Sequence, residues 1–275
     1  MLAVKTPEEV YEIIKTEFAQ ITDRTGRVAY TEAAGRVLAE DIRAAEYVPA
    51  FNRSTVDGFA VCAKDTFGCS DSIPAILQNV QEIFMGQAAG FILKEGSCAP
   101  IPTGGELPEG ADAVQMIEYT EDYGDGTTGI LKPVAPGHNV ILKGDDVSPG
   151  RLVLRAGRKL TPQDIGALAA MGIAEVPVVR RLKVGILSTG DELVSPEESP
   201  GPGQIRDVNS SLTAALMEQF GAVSVSFGIL PDQEELLSRK VQEAAQECDL
   251  VLISGGSSVG VRDAACRVIE RHGEI

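Results

Sequence analysis

Near the N-terminus apolar residues recur at helical spacing, with Val10, Ile13, Ile14, Phe18 and Ile21 on one face. Thr6-Pro7-Glu8-Glu9 before them reads as an N-cap, a Pro at the first helical position and a Glu at the third. An amphipathic helix therefore opens the chain. A second, shorter helix is expected from Thr31 to about residue 42. Pro49, Asn52 and Gly58 then mark an irregular stretch. Over 56–155 the pattern changes to short β-rich runs, Phe59 to Ala63, Ala113 to Tyr119, Ile130 to Val134 and Asn139 to Leu142, separated by Gly, Pro and Asp clusters. Asp122 to Gly129 reads as a turn-rich hairpin tip.

A second capped helix is expected from Thr161-Pro162-Gln163-Asp164 to near Met171-Gly172, followed by a strand at Glu175 to Val179. From Lys183 the elements alternate: strand to Leu187, helix near 208–220 closed by Gly221, strand 223–229, helix 233–247, strand 249–254, and a helix from about 262. Alternation of this kind predicts an α/β domain with a doubly wound parallel sheet. Three strands are fewer than the roughly four to six usual for such a sheet. Either the chain is a fragment or the missing strands are supplied otherwise, and an exposed edge or an unburied apolar face is expected.

Length points to roughly two domains. The formal charge of −16 disfavours a nucleic-acid or acidic-membrane partner, so an anionic ligand must be met locally by helix N-termini, a few cations or a bound metal. The five cysteines lack zinc spacing and read as reduced, mostly buried thiols. With no apolar run of membrane-spanning length and a charged start at Lys5, Glu8 and Glu9, a cytoplasmic location is expected.

Two strand-to-loop junctions carry the candidate chemistry: Leu182-Lys-Val-Gly-Ile-Leu-Ser-Thr-Gly-Asp-Glu-Leu193 and Asp249-Leu-Val-Leu-Ile-Ser-Gly-Gly-Ser-Ser-Val-Gly-Val-Arg-Asp263. In an open parallel sheet such loops converge on one crevice. Ser254 to Gly260 reads either as a tight strand-to-helix turn or as a loop whose backbone N–H groups approach a phosphate or a flat polar ring; the partner junction favours binding. Asp191, Glu192 and Asp263 are candidates for Mg²⁺, although each taken singly also reads as a helix cap or a surface acid. Asp232 sits at a third strand end, where it also reads as the N-cap of the helix from Gln233. The polar loop Asn52 to Asp57 is either functional or a hydrogen-bonded turn.

These motifs resemble the molybdopterin molybdenumtransferase family, bacterial MoeA and the E domain of gephyrin. Asn52-Arg-Ser-Thr-Val-Asp-Gly-Phe59, Ile101-Pro-Thr-Gly104 with Gly110-Ala-Asp-Ala-Val114, Ser188 to Leu193, and Ser254 to Asp263 follow in the family's order, and Gly203-Gln-Ile-Arg-Asp207 with Asn209 adds a fifth. The resemblance covers essentially the whole chain. It implies an enzyme of molybdenum-cofactor biosynthesis that inserts molybdate into adenylylated molybdopterin and releases AMP with Mg²⁺. It also implies a homodimer whose cleft lies between the α/β domain of one subunit and the β-rich domain of the other, with a molybdopterin adenylyltransferase as a candidate partner.

By resemblance, Asp57, Glu192, Asp232 and Asp263 take catalytic positions, with Glu192 and Asp263 on the metal. Thr103, Asp146, Ser188, Thr189, Gly190, Ser254, Gly255, Gly256, Ser258 and Gly260 bind the ligand. The implied domains are a linker and dimerisation domain (1–45 and 147–180), a mostly-β domain (46–146) and a molybdopterin-binding domain (181–275). Phe59 stands where the family often has Tyr, and Ser257 where it often has an apolar residue or Thr. The family continues past Ile275 with a Pro-Gly-Lys-Pro-type segment and a C-terminal β domain. Two other readings stand beside the enzyme: a noncatalytic molybdopterin-binding scaffold, and a related adenylyltransferase sharing only the α/β domain.

Overall fold

The structure is a computed structural model describing residues 5–18, 24–255 and 259–273, with backbone alone for 259–264 and 266. In chain order its main elements are α1 (Pro7–Glu17), β1 (Thr25–Ala29), β2 (Gly58–Val61), β3 (Ala75–Asn79), β4 (Ser97–Ile101), β5 (Ala113–Met116), β6 (Thr120–Asp122) and β7 (Thr127–Ile130). They are followed by α2 (Pro162–Ala170), β8 (Glu175–Val179), β9 (Lys183–Thr189), α3 (Val208–Gln219), β10 (Val223–Leu230), α4 (Glu234–Glu247), β11 (Leu250–Gly255) and α5 (Val259–His272). The chain divides into two compact units, 1–40 with 156–165 and 175–275, and 41–155 with 166–174. It is a mixed α/β protein.

The second unit is built on a curled six-stranded sheet ordered β5-β2-β4-β3-β7-β6, antiparallel except between β3 and β4. Successive residues of one strand enter different cores: Ala60, Ala99 and Val114 join Ile83, Leu93 and Leu107 on one face, while Val61, Cys98 and Ala113 join Leu77, Ile130 and Val134 on the other. Burial on both faces explains why these strands are short apolar runs rather than clean alternations. Thr120 to Ile130 is the expected hairpin. Gly58 is required where β2 meets β5, because a Cβ there would lie 1.9 Å from the Gln115 carbonyl oxygen. Burial pushes the Cys98 thiol up to about 12, as a structural cysteine requires.

In the first unit β9 lies between β10 and β11 in an all-parallel sheet. Side-chain alternation splits β9 between two helix layers. Leu187 packs with Leu237 and Val241 of α4 and Val268 of α5, whereas Ser188, pointing the other way, meets Ser210 of α3. A separate antiparallel ladder pairs β1 with β8, from Thr25↔Val179 to Ala29↔Glu175. Thr161 and Asp164 cap α2 reciprocally, and Arg158 binds the same Asp164 carboxylate at 2.8 Å.

The expected capping box of α1 forms, with Glu9 N–H donating to Thr6 and Thr6 N–H to Glu9. The helix expected from Thr31 does not form; only a 3₁₀ turn, Tyr30–Glu32, is present. The competing tertiary pairing wins, as Gly35 N–H donates to Leu160 O and Leu38 N–H to Arg158 O. Two apolar helix stripes lie unburied: Val10, Ile13, Ile14 and Phe18 along α1, and Val208, Leu212, Leu216 and Phe220 along α3, where Phe220 is 73 % exposed. Among the described residues no helix is long and apolar enough to cross a membrane.

Candidate functional site

The carboxyl ends of β9, β10 and β11 bring together most of the residues picked from the α/β motifs. Thr189, almost fully buried, donates its hydroxyl to Asp232 Oδ1 at 2.7 Å. Asp232 N–H in turn donates to Asp191 Oδ1 at 3.2 Å. The cap reading of Asp232 fails: Gln233 is the N-cap of α4 and makes no side-chain cap bond. Gly190 N–H bonds Leu230 O, tying the β9 loop to the end of β10. The exposed carboxylate of Glu192 folds back over Gly190, 2.8 Å from where a Cβ would stand, while its backbone oxygen receives Ile205 N–H. Gly255 closes on β9 so tightly that a Cβ would lie 1.9 Å from the Thr189 carbonyl oxygen, at a φ of +122°.

Beside these residues lies a cavity of ≈ 620 Å³ lined by Gly190, Asp191, Asp207, Ser210, Ser226 and Gly228, among others. From Asp207 and Ser210 on its wall a chain of oxygens leads inward to Ser188 and on to Ser254. The Asp207 carboxylate accepts the Ser210 hydroxyl, Ser210 Oγ lies 2.7 Å from Ser188 Oγ, and Ser188 Oγ lies 2.9 Å from Ser254 Oγ. Asp207 is also the N-cap of α3, accepting Ser210 N–H at 3.1 Å. Burial pushes the Asp207 carboxyl up, but hydrogen bonds from the Ser210 and Ser188 hydroxyls and from backbone N–H groups outweigh it and hold the carboxyl below its ordinary value. Asp207 and Ser210 were not among the residues picked from sequence, although Asp207 closes the Gly203-Gln-Ile-Arg-Asp207 motif.

Gly256 and Ser258 lie outside the described residues. Gly260 and Asp263 fall within α5, with side chains outside the description. Among the described residues no cluster of three or more His, Cys, Asp or Glu forms a ready metal site.

In the other unit, Asp57 Oδ1 accepts both the backbone N–H and the hydroxyl of Thr103, at 2.7 and 2.9 Å. The two loops bearing them are laced together by Ser54 N–H to Gly105 O, Gly104 N–H to Ser54 O and Leu107 N–H to Asn52 O. The polar loop is thus a braced turn and also the carrier of an exposed carboxylate. A ≈ 410 Å³ cavity lined by Asp57, Phe59, Phe84, Met85, Ile101 and Ile117 opens beside it. Arg53 Nε is buried without a hydrogen-bond partner. Asp146 sits on another turn, held by its N–H to Val48 O, and that turn is tied to the polar loop by Lys143 N–H to Asn52 Oδ1.

The two Thr103 donors hold the Asp57 carboxyl below its ordinary value. Thr103→Val removes the hydroxyl donor, so the Asp57 pKa should rise toward that of a free carboxylate while the protein stays folded. A carboxyl ¹³C NMR titration reads this directly; an unmoved Asp57 midpoint would show that the hydroxyl has no part in holding the anion.

Two family models match in succession: the MoeA N-terminal region (domain I and II) over residues 5–172 and a probable molybdopterin binding domain over 185–275. A molybdopterin molybdenumtransferase of Bacillus subtilis is 36 % identical over 99 % of this chain and 64 % of its own length. A putative molybdopterin biosynthesis protein of Methanocaldococcus jannaschii is 33 % identical, and the match takes in 69 % of it. The crystal structure of a MoeA molybdopterin biosynthesis protein from Pyrococcus horikoshii superposes with a TM-score of 0.86 at 36 % identity, covering 98 % of this chain and 67 % of that one. The chain thus spans about two thirds of these relatives' length. With matches running from its N-terminal helix through the oxygen-lined strand ends, the chain belongs to the MoeA family, carrying the N-terminal region followed by a probable molybdopterin-binding domain.

Proposed function

We propose that this protein takes adenylylated molybdopterin, transfers molybdate to its dithiolene sulfurs and releases AMP in molybdenum-cofactor biosynthesis. The observation that carries the reading is the meeting of Thr189, Asp232, Glu192 and the serine chain at three parallel strand ends beside one cavity, in a family whose curated relatives bear the name molybdopterin molybdenumtransferase. Parallel sheets bind ligands at that edge.

In this reading Glu192 and Asp263 hold Mg²⁺. The fit is chemical: Mg²⁺ takes one or two carboxylates and completes its shell with waters and substrate phosphates, and Glu192 presents an exposed carboxylate just past the end of β9. Mg²⁺ held there would neutralise charge on a ligand phosphate. Asp232 fixes the Thr189 hydroxyl, Gly190 and Gly255 leave the backbone open to the ligand, Gly256, Ser258 and Gly260 are further ligand-binding residues by family resemblance, and Asp57, Thr103 and Asp146 position ligand across the dimer.

The same reading makes the 181–275 part a doubly wound molybdopterin-binding domain, 46–146 a mostly-β domain and the remainder a linker and dimerisation domain. It makes the protein a cytoplasmic homodimer with a molybdopterin adenylyltransferase as partner. The unburied stripes of α1 and α3 support self-association, since apolar faces of this length are usually covered.

Chelation tests the metal. EDTA treatment should abolish AMP release from adenylylated molybdopterin and excess Mg²⁺ restore it. Retention of molybdopterin with no AMP release under any Mg²⁺ concentration would identify the scaffold reading instead.

A further inference from the structure

The serine chain has a direction, and counting its protons gives it. Asp207, 3 % exposed, meets Ser210; Ser210 meets Ser188, which is fully buried; and Ser188 meets Ser254. Each of these three oxygen–oxygen contacts needs one proton, and an ionised carboxylate supplies none. The three hydroxyls hold three protons, so every one is committed inside the chain. Ser210 donates to Asp207, Ser188 shares its one proton between Ser210 and Asp207, and Ser254 donates to Ser188. The hydroxyls that reach solvent, Ser210 on the cavity wall and half-buried Ser254 at the end of β11, keep only lone pairs to offer a ligand. If Ser254 turned its proton outward, its contact with Ser188 would have none, setting lone pair against lone pair in a largely buried place.

We infer that Asp207 and Ser210 are positioning residues that make the serine surface at the ends of β9 and β11 acceptor-only, so that it takes the N–H edge of a ligand's heterocycle and turns a phosphate away. This rests on the proposed function, in which the ligand carries both groups: a pterin ring with N–H donors, and phosphates that accept. The serine chain then orients the ligand, with the ring edge on the serines and the phosphates on the glycine backbone and Mg²⁺.

Asp207→Asn separates this role from helix capping, because Asn caps a helix as well as Asp. Its amide N–H can donate to Ser210, which frees Ser210 and Ser188 to donate the other way and Ser254 to point its proton outward. Calorimetric titration of the full chain with 6-hydroxymethylpterin and with inorganic pyrophosphate, in the presence of Mg²⁺, reads the result. Asp207→Asn should weaken the pterin about tenfold while leaving pyrophosphate unchanged or tighter. Ser254→Ala should weaken the pterin alone. Parallel loss of both affinities in Asp207→Asn would show a merely structural role, and no change in either would show that the chain does not face the ligand; both overturn the inference. If the unsubstituted chain fails to bind the pterin but still releases AMP, the inference fails and the function stands. Failure of both takes the proposed function with it.

Discussion

Replacing Glu192 by Ala should lower molybdate-dependent AMP release by about 10²–10³-fold, the order of loss when one preorganised group that stabilises developing charge is removed, because the carboxylate that holds the charge-neutralising Mg²⁺ is gone. The fold should not notice. Glu192 is exposed, its side chain lies over Gly190, and what holds this loop is backbone: Ile205 N–H to Glu192 O and Leu193 N–H to Gly190 O. Surface substitutions of this kind change stability by about 0.5 kcal/mol or less. Glu192→Gln keeps the shape and removes the charge, so it should be nearly as inactive if the carboxylate holds Mg²⁺, and nearly normal if it only packs. Unaltered turnover in the Ala variant would remove Glu192 from the site.

The largest stability effect is expected at Gly255. An added methyl would lie 1.9 Å from the Thr189 carbonyl oxygen and 2.9 Å from its carbon, and φ is +122°, a region L residues avoid. Thr189 and Gly255 are also paired in the β9–β11 ladder, so the clash is with backbone that cannot swing aside. Relief requires the two strand ends to part, which loosens the Ser188–Ser254 contact as well. Gly255→Ala should therefore cost about 3 kcal/mol or more, combining left-handed strain with overpacking, read as a lowered urea midpoint. Gly26→Ala is the control: nothing lies within 4 Å of its added methyl, and its effect should stay within about 0.5 kcal/mol. Equal losses at both positions would mean that the close approach of β11 to β9 does not hold in solution.

What could be read in the sequence was local. Thr6-Pro-Glu-Glu9 announces α1 because its cap bonds span three residues, and β8 through β11 with α3 and α4 follow from period and punctuation alone. Where distant pairing decides, the pattern misleads. Thr31 looks like a helix start, but Gly35 and Leu38 find partners more than a hundred positions away. β3 and β4 carry no strong strand signal, and Pro100 sits within β4, paired across to Phe59. The strand expected from Ile130 to Val134 lies instead at Thr127–Ile130, where Thr127 to Ile130 pair with Gln78 to Ala75.

The site divides in the same way. Asp232 and Glu192 are visible because each follows a strand end. The serine chain is not, because Ser188, Ser210 and Ser254 are small residues spread over three elements, and only the folded sheet makes them neighbours. Asp232 also reads as a helix cap in the sequence; in the structure Gln233 is the N-cap of α4, and Asp232 accepts the Thr189 hydroxyl instead.

The most direct test of the function is the time course of AMP release from adenylylated molybdopterin on adding molybdate to this 275-residue chain with Mg²⁺. Release that depends on molybdate and saturates with it is the predicted result. AMP that stays bound, or leaves at the same rate without molybdate, would contradict the assignment of molybdate insertion to this chain.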